Sequence, residues 1–243
     1  MFFIRSLLFS IIQLLMTVLF STLGILLWPL PFNLRYKVVS KWARVNLWLL
    51  KVICGINYSV KGIDNIPETP CVIMCKHQSA WETLALQVVF PQQVWVLKRE
   101  LLWVPIFGWG LASLNPIAID RSAGRKALNQ IIEQGKERLE SGSFIVIFPE
   151  GTRIPVGKMG RFGIGGAKLA LEAGANIIPV AHNAGRAWPK NSFVKYPANI
   201  ELVIGRPIAT QGKTVTEVNS DVYQWMDEQM TLMDSVSDKK GGQ

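Results

Sequence analysis

His77 and Glu82 stand five residues apart in the run "KHQSAWET", directly after a short apolar stretch at 71–76. A histidine that takes up a proton near neutral pH needs a carboxylate to fix its tautomer and stabilise the imidazolium. This pair supplies both groups if the turn between them folds back. The position is favourable, because His77 falls where a strand gives way to a helix, and α/β folds build sites there. Glu82 also has a plainer reading. Ser79-Ala80-Trp81-Glu82 has the form of a capping box, with Ser79 as N-cap and Glu82 reaching back to its N–H. An ordinary buried histidine stays open for His77 on these residues alone.

The remaining reactive residues say less. His182 ends a strand-like run and reads as a satisfied structural histidine. The stretch "GKMGRFGIGGAK" at 157–168 is rich in glycine, but no Gly-Lys-Ser/Thr closes it as a phosphate loop would require. It reads as a mobile connection into a helix. Cys54, Cys71 and Cys75 are odd in number, and the last two lie in a strand-like setting, which suits a reducing compartment. With two histidines and no paired Cys-x-x-Cys, a four-ligand zinc site is hard to assemble, so no metal is expected. A hydrolase would want a serine on a strained elbow, and Gly-x-Ser-x-Gly is absent.

The elements that must position the pair are legible in outline. Apolar runs at 71–76, 94–99, 115–120, 144–149, 176–182 and 200–205 read as strands buried on both faces. Helical patterns fall at 79–89, 122–140, 165–173 and near 215–234. This alternation predicts an α/β domain with a largely parallel sheet flanked by helices. The segment "LLWVPIFGWGLASL" at 101–114 is apolar but too short to span a bilayer, and Pro105, Gly108 and Gly110 break its helical period. It is either a buried connection or a surface for an acyl chain or lipid.

Ser6 to Trp28 carries no charge. At about 1.5 Å per residue, a helix of this length crosses a hydrocarbon core roughly 30 Å thick. Trp28-Pro29-Leu30-Pro31 replaces the small residues of a signal cleavage site, which favours a retained anchor. Of the formal +9 net charge, most sits early: Arg5, Arg35, Lys37, Lys41, Arg44, Lys51 and Lys61 precede the first acid, Asp64. A basic excess beside an apolar run points to anionic lipid, and the nearly balanced body argues against nucleic acid. The cluster after the apolar run places the body in the cytoplasm, on the inner membrane, by the positive-inside rule. Residues 34–53 read as an amphipathic helix, with Val38, Trp42, Val45, Leu49 and Val52 on one face. The expected organisation is a membrane anchor and amphipathic helix over 1–56, a catalytic domain over 57–236 and a disordered tail over 237–243.

Four blocks in order carry a family resemblance. They are His77 through Glu82; "KRELLWVPIFGWG" with Lys98, Glu100, Leu101, Pro105 and Gly108, followed by Ile119-Asp120-Arg121; "FPEGTR" at Phe148 to Arg153; and Ile178-Pro179-Val180. Together they resemble the 1-acyl-sn-glycerol-3-phosphate acyltransferases of the glycerolipid acyltransferase superfamily. Three positions depart from the family pattern: Glu82 replaces the usual Asp, Lys76 the usual Asn, and Gly163 follows Phe162 where a lysine often stands. The resemblance implies a glycerol-3-phosphate acyltransferase-like mixed, largely parallel sheet. It also implies acyl transfer from acyl-CoA or acyl-carrier protein to lysophosphatidic acid, with no cofactor. His77 is then the general base and Glu82 its orienting carboxylate. Arg121, Arg153 and Lys98 are the cations for the acceptor phosphate, and Glu150, Gly151 and Thr152 form the supporting turn. The oxyanion donors are expected among backbone N–H groups at the start of the 79–89 helix. Another lysolipid acceptor, or a lipid-binding protein without catalysis, are the alternatives.

Overall fold

A computed structural model describes residues 1–240 of the 243. Its centre is a seven-stranded sheet made of β1 (Ile56–Lys61), β2 (Val72–Cys75), β3 (Gln93–Lys98), β4 (Ile117–Ile119), β5 (Phe144–Ile147), β6 (Ile177–His182) and β7 (Ala198–Ile204), in the order β1-β7-β6-β2-β5-β3-β4. Every neighbouring pair is parallel except β6 with β7. The sheet is therefore mixed and largely parallel, as expected.

The central strands β2, β5 and β6 are buried at every position, which is why they read as unbroken apolar runs. β1 escaped the sequence reading. Its residues Ile56-Asn57-Tyr58-Ser59-Val60-Lys61 are mostly exposed, because it lies at the sheet edge and needs little apolar character.

Helices cover both faces. On one face the core gathers Phe9 of α1 (Phe2–Leu26), Ala43 and Leu47 of α3 (Lys41–Leu49), and Leu84 of α4 (Trp81–Val89), packed on Ile73, Val146 and Ile178. On the other, α6 (Arg125–Glu140), α7 (Gly165–Glu172) and α8 (Val215–Lys240) pack on Val72, Ile145 and Ile177. The amphipathic helix expected over 34–53 is broken at Ser40 into α2 (Phe32–Val39) and α3, and the latter ends in a wider π turn closed by Gly55 at φ +72°. α8 reaches into the stretch expected as a tail; residues 241–243 lie outside those described.

Among the described residues, α1 is the one helix long and apolar enough to cross a membrane. It is docked on the body at both ends. Near its start Ser6 Oγ accepts the Lys195 N–H at 2.9 Å, and Phe9 meets Trp188 edge-on at 5.8 Å. Near its end it packs on α5 (Phe107–Ala112) so closely that a Cβ on Gly110 would lie 2.5 Å from the Ser21 backbone. Gly110 thus has a packing reason: it lets two helices touch. Between these anchors Leu7, Leu8, Ile11, Leu14, Leu15 and Leu19 stay exposed.

Candidate active site

The parallel strands deliver the reactive residues to one edge of the sheet, at their C-terminal ends. β2 finishes at Cys75, Lys76 N–H continues the pairing to Val180 at 2.9 Å, and His77 follows. Glu82 lies in the first turn of α4. Its Oε1 stands 2.7 Å from His77 Nδ1 and also accepts the Gln78 and Ser79 N–H groups at 3.1 and 3.0 Å. Ser79 Oγ in turn accepts the Trp81 N–H. Glu82 does reach back to the Ser79 N–H, but the N-cap is Ala80 and not Ser79 as expected; the same carboxylate ties the turn before the helix and orients the histidine. Helix α4 begins at Trp81, two residues later than expected, because Gln78 to Ala80 form that turn.

The proton positions follow. An ionised carboxylate only accepts, so Nδ1 of His77 carries its hydrogen and Nε2 is left with a free lone pair. Burial by itself would raise the Glu82 carboxyl. The neighbouring His182, the His77 N–H and the Ser79 N–H outweigh burial and hold it below its ordinary range. The His77 ring lies flat on Phe148, centroids 4.0 Å apart and planes 15° from parallel, with 15% of its side chain exposed. It is clamped, oriented and still reachable.

The "FPEGTR" turn is stitched to the histidine backbone on both sides. His77 N–H donates to Glu150 Oε2 at 3.0 Å, and His77 C=O accepts the Ile154 N–H at 2.7 Å. Glu150 is buried, and its Oε1 also takes the Lys76 ammonium at 2.5 Å and the Gly160 N–H at 2.9 Å. Gly151 turns the chain at φ +65°, with its N–H on Phe148 C=O. Its own carbonyl receives the Arg121 guanidinium.

His182 is closer to this chemistry than expected. It is fully buried, accepts the Ala184 N–H at Nδ1, and therefore carries its hydrogen on Nε2, donating it to Lys76 C=O at 2.9 Å. That same Nε2 lies 3.7 Å from Glu82 Oε2. Burial pushes its pKa down, against the opposing pull of Glu82. The expectation of a satisfied structural histidine is right about its bonding but missed that it backs Glu82. Nothing in the local sequence of His182 points to Glu82, because the two meet only across β2 and β6.

A match to the Acyltransferase family model covers residues 57–183, more than half of the chain and all four blocks. The chain belongs to the acyltransferase family. A Pseudomonas aeruginosa 1-acyl-sn-glycerol-3-phosphate acyltransferase is 47% identical over 97% of this chain and 94% of its own length. A mouse relative, 1-acyl-sn-glycerol-3-phosphate acyltransferase alpha, is 30% identical over 73% of this chain and 64% of its own. The crystal structure of the 1-acyl-sn-glycerophosphate acyltransferase from Thermotoga maritima superposes with a TM-score of 0.80, covering 95% of each chain at 23% identity, and so shares the fold.

In this acyltransferase the three expected phosphate cations differ in surroundings. Arg121 is tied to Gly151 and borders a cavity of about 330 Å³, whose other walls include Val96, Ile119, Leu128, Ile131 and Phe148. Arg153 is half-buried, next to the Ile154 N–H that holds His77, and has no carboxylate partner among the described residues. Lys98 is exposed at the end of β3, also without one, whereas Arg99 is bound to Asp120 at 3.0 Å. Thr152 is exposed in the turn. Around the start of α4, the N–H groups of Gln78, Ser79 and Trp81 are spent on Glu82 and Ser79 Oγ.

Proposed function

We propose that this acyltransferase moves a fatty acyl group from a thioester donor, acyl-CoA or acyl-carrier protein, to the sn-2 hydroxyl of 1-acyl-glycerol-3-phosphate, yielding phosphatidic acid. The observation that carries this reading is the 2.7 Å contact of His77 Nδ1 with Glu82, which leaves the reachable histidine with a basic Nε2. In the reaction Nε2 takes the acceptor's hydroxyl proton as that oxygen attacks the thioester carbonyl. The thiolate leaves with its electron pair and is protonated by the imidazolium, which restores the base. The hydroxyl is the nucleophile, so no acyl-enzyme forms, and holding acceptor and donor together supplies much of the rate.

The acceptor's phosphate calls for guanidinium forks, and Arg153 and Arg121 flank the turn that carries the His77 backbone. Lys98 is the third cation. The part-apolar cavity beside Arg121 suits a ligand with an anionic head and a hydrocarbon body.

The exposed apolar side of α1 is extended by Trp103, Val104, Ile106 and Trp109 from the 101–114 segment, and by Trp28 and Trp48. These surfaces support a membrane seat, with tryptophans at headgroup depth. Docking of α1 at both ends favours a helix that lies against the body, since crossing the bilayer would undo one set of contacts. The basic residues after α1 favour the cytoplasmic leaflet of the inner membrane. The test is phosphatidic acid formation by the purified protein in lipid vesicles, beside His77→Ala. Product from the wild type alone supports the reading. No product from lysophosphatidic acid with either donor, while another lysolipid is acylated, replaces the acceptor; no acyl transfer at all overturns the reading.

A further inference from the structure

Lys76 immediately precedes His77 in the chain. The structure does not leave it at the surface. Its side chain is completely buried, directly beneath the base, with its ammonium 2.5 Å from Glu150 Oε1. Through that carboxylate the charge connects to two backbone points, the His77 N–H at 3.0 Å and the Gly160 N–H at 2.9 Å. Its own carbonyl accepts the His182 Nε2–H at 2.9 Å. Lys76 thus touches, at one remove, the base, the carboxylate that orients it and the glycine-rich connection.

The charge balance gives this position a purpose. Two buried carboxylates, Glu82 and Glu150, flank the His77 backbone and ring. His182 faces them from β6 with its pKa lowered by burial, and the Cys75 thiol beside them is pushed far up by burial and by both carboxylates. Arg121 on the Gly151 carbonyl and half-buried Arg153 face the same turn, and of these three cations Lys76 alone is fully buried. Two uncompensated negative charges beside an imidazole would favour its protonated form, and a protonated His77 is no base.

We propose that Lys76 is a positioning residue for the transfer reaction: its buried ion pair with Glu150 fixes the His77 main chain and cancels one of the two carboxylate charges that flank the imidazole. The proposal rests on His77 being the base, as argued above. It is separable from the acceptor's identity, because the titration of a histidine needs no substrate.

The experiment follows the His77 titration in the full-length protein by hydrogen exchange at the ring C2 position, read by mass spectrometry, for the wild type, Lys76→Met, Lys76→Asn and Lys76→Met/Glu150→Gln. Where the wild type turns over, the pH profile of kcat/KM is recorded beside it. Both Lys76 single variants are expected to raise the His77 midpoint by about one unit and to move the acid limb of the profile upward with it, the imidazolium now facing an uncancelled carboxylate. The double variant, which removes both charges, is expected to return the midpoint toward the wild type and to unfold at a higher temperature than Lys76→Met, because a lone buried charge costs more than none. A midpoint unmoved in the folded Lys76→Asn protein would overturn the electrostatic role. Additive effects of the two substitutions on unfolding temperature would overturn the pairing. A wild type that forms no phosphatidic acid bears on the acceptor and leaves both of these readouts standing.

Discussion

The carboxylate of Glu82 holds His77 Nδ1 at 2.7 Å with the same oxygen that accepts the Ser79 N–H at 3.0 Å. One oxygen therefore joins the start of a helix to the tautomer of a histidine. The Glu82 side chain reaches across the whole turn from inside the first turn of α4. Glu82→Asp withdraws the oxygen by one methylene and Glu82→Gln removes its charge. For Glu82→Gln, kcat is expected to fall by about 10²–10⁴-fold with the acceptor KM nearly unchanged, the general-base contribution being of that order. Steady-state kinetics on both substrates decide it. An unchanged kcat with a raised KM would move Glu82 from orientation to binding.

Arg153 and Arg121 should separate in kinetics. Arg153 has no carboxylate partner among the described residues, so Arg153→Ala is expected to raise the acceptor KM by about 10–100-fold, the worth of a charge-assisted hydrogen bond. Arg121 also holds the Gly151 carbonyl. Its loss loosens the turn that carries the His77 backbone, so Arg121→Ala is expected to lower kcat as well as raise KM. Unchanged acceptor KM in Arg153→Ala would remove that residue from phosphate binding.

The main elements of the fold were legible because the central strands are buried on both faces and write themselves as apolar runs, as at Val72–Cys75 and Phe144–Ile147. The edge strand Ile56–Lys61 left no such mark. His77, Glu82 and the turn at 148–153 were legible as local patterns. Lys76 with Glu150, and His182 with Glu82, were not, because each pair meets only when β2 lies between β5 and β6. Long-range pairing of this kind has no sequence period to read. At the helix start the chain's own carboxylate and hydroxyl take the Gln78, Ser79 and Trp81 N–H groups, bonds that only the folded turn reveals.

Gly151 offers a test of backbone conformation alone. Its φ is +65°, and an added Cβ would meet nothing within 4 Å. Any effect of Gly151→Ala therefore comes from the left-handed conformation, worth about 1–2 kcal/mol in an L-residue. The melting temperature is expected to fall by a few degrees, and by less in Gly151→Asn, since Asn enters that region more readily. Equal losses in the two variants would mean that side-chain volume, not φ, matters there.

His182 and Glu82 set two pH windows for stability. His182 is fully buried and its pKa is held below the ordinary 6.5 by burial, so the unfolded chain takes up a proton that the fold refuses. Stability is full above about pH 6.5 and declines as pH falls toward the depressed folded value, with a slope of up to about 1.4 kcal/mol per pH unit. Glu82 is also lowered, from 4.5, so its contribution is present above that value and is lost only as pH falls through its own depressed pKa. Urea unfolding of the wild type between pH 7.5 and 5 is therefore expected to show a decline that precedes any carboxylate titration. His182→Asn keeps a donor for the Lys76 carbonyl and cannot take up the proton, so its stability curve over the same range should be flatter than the wild type's. Parallel curves for the two proteins would assign the decline to other groups and leave His182 as packing alone.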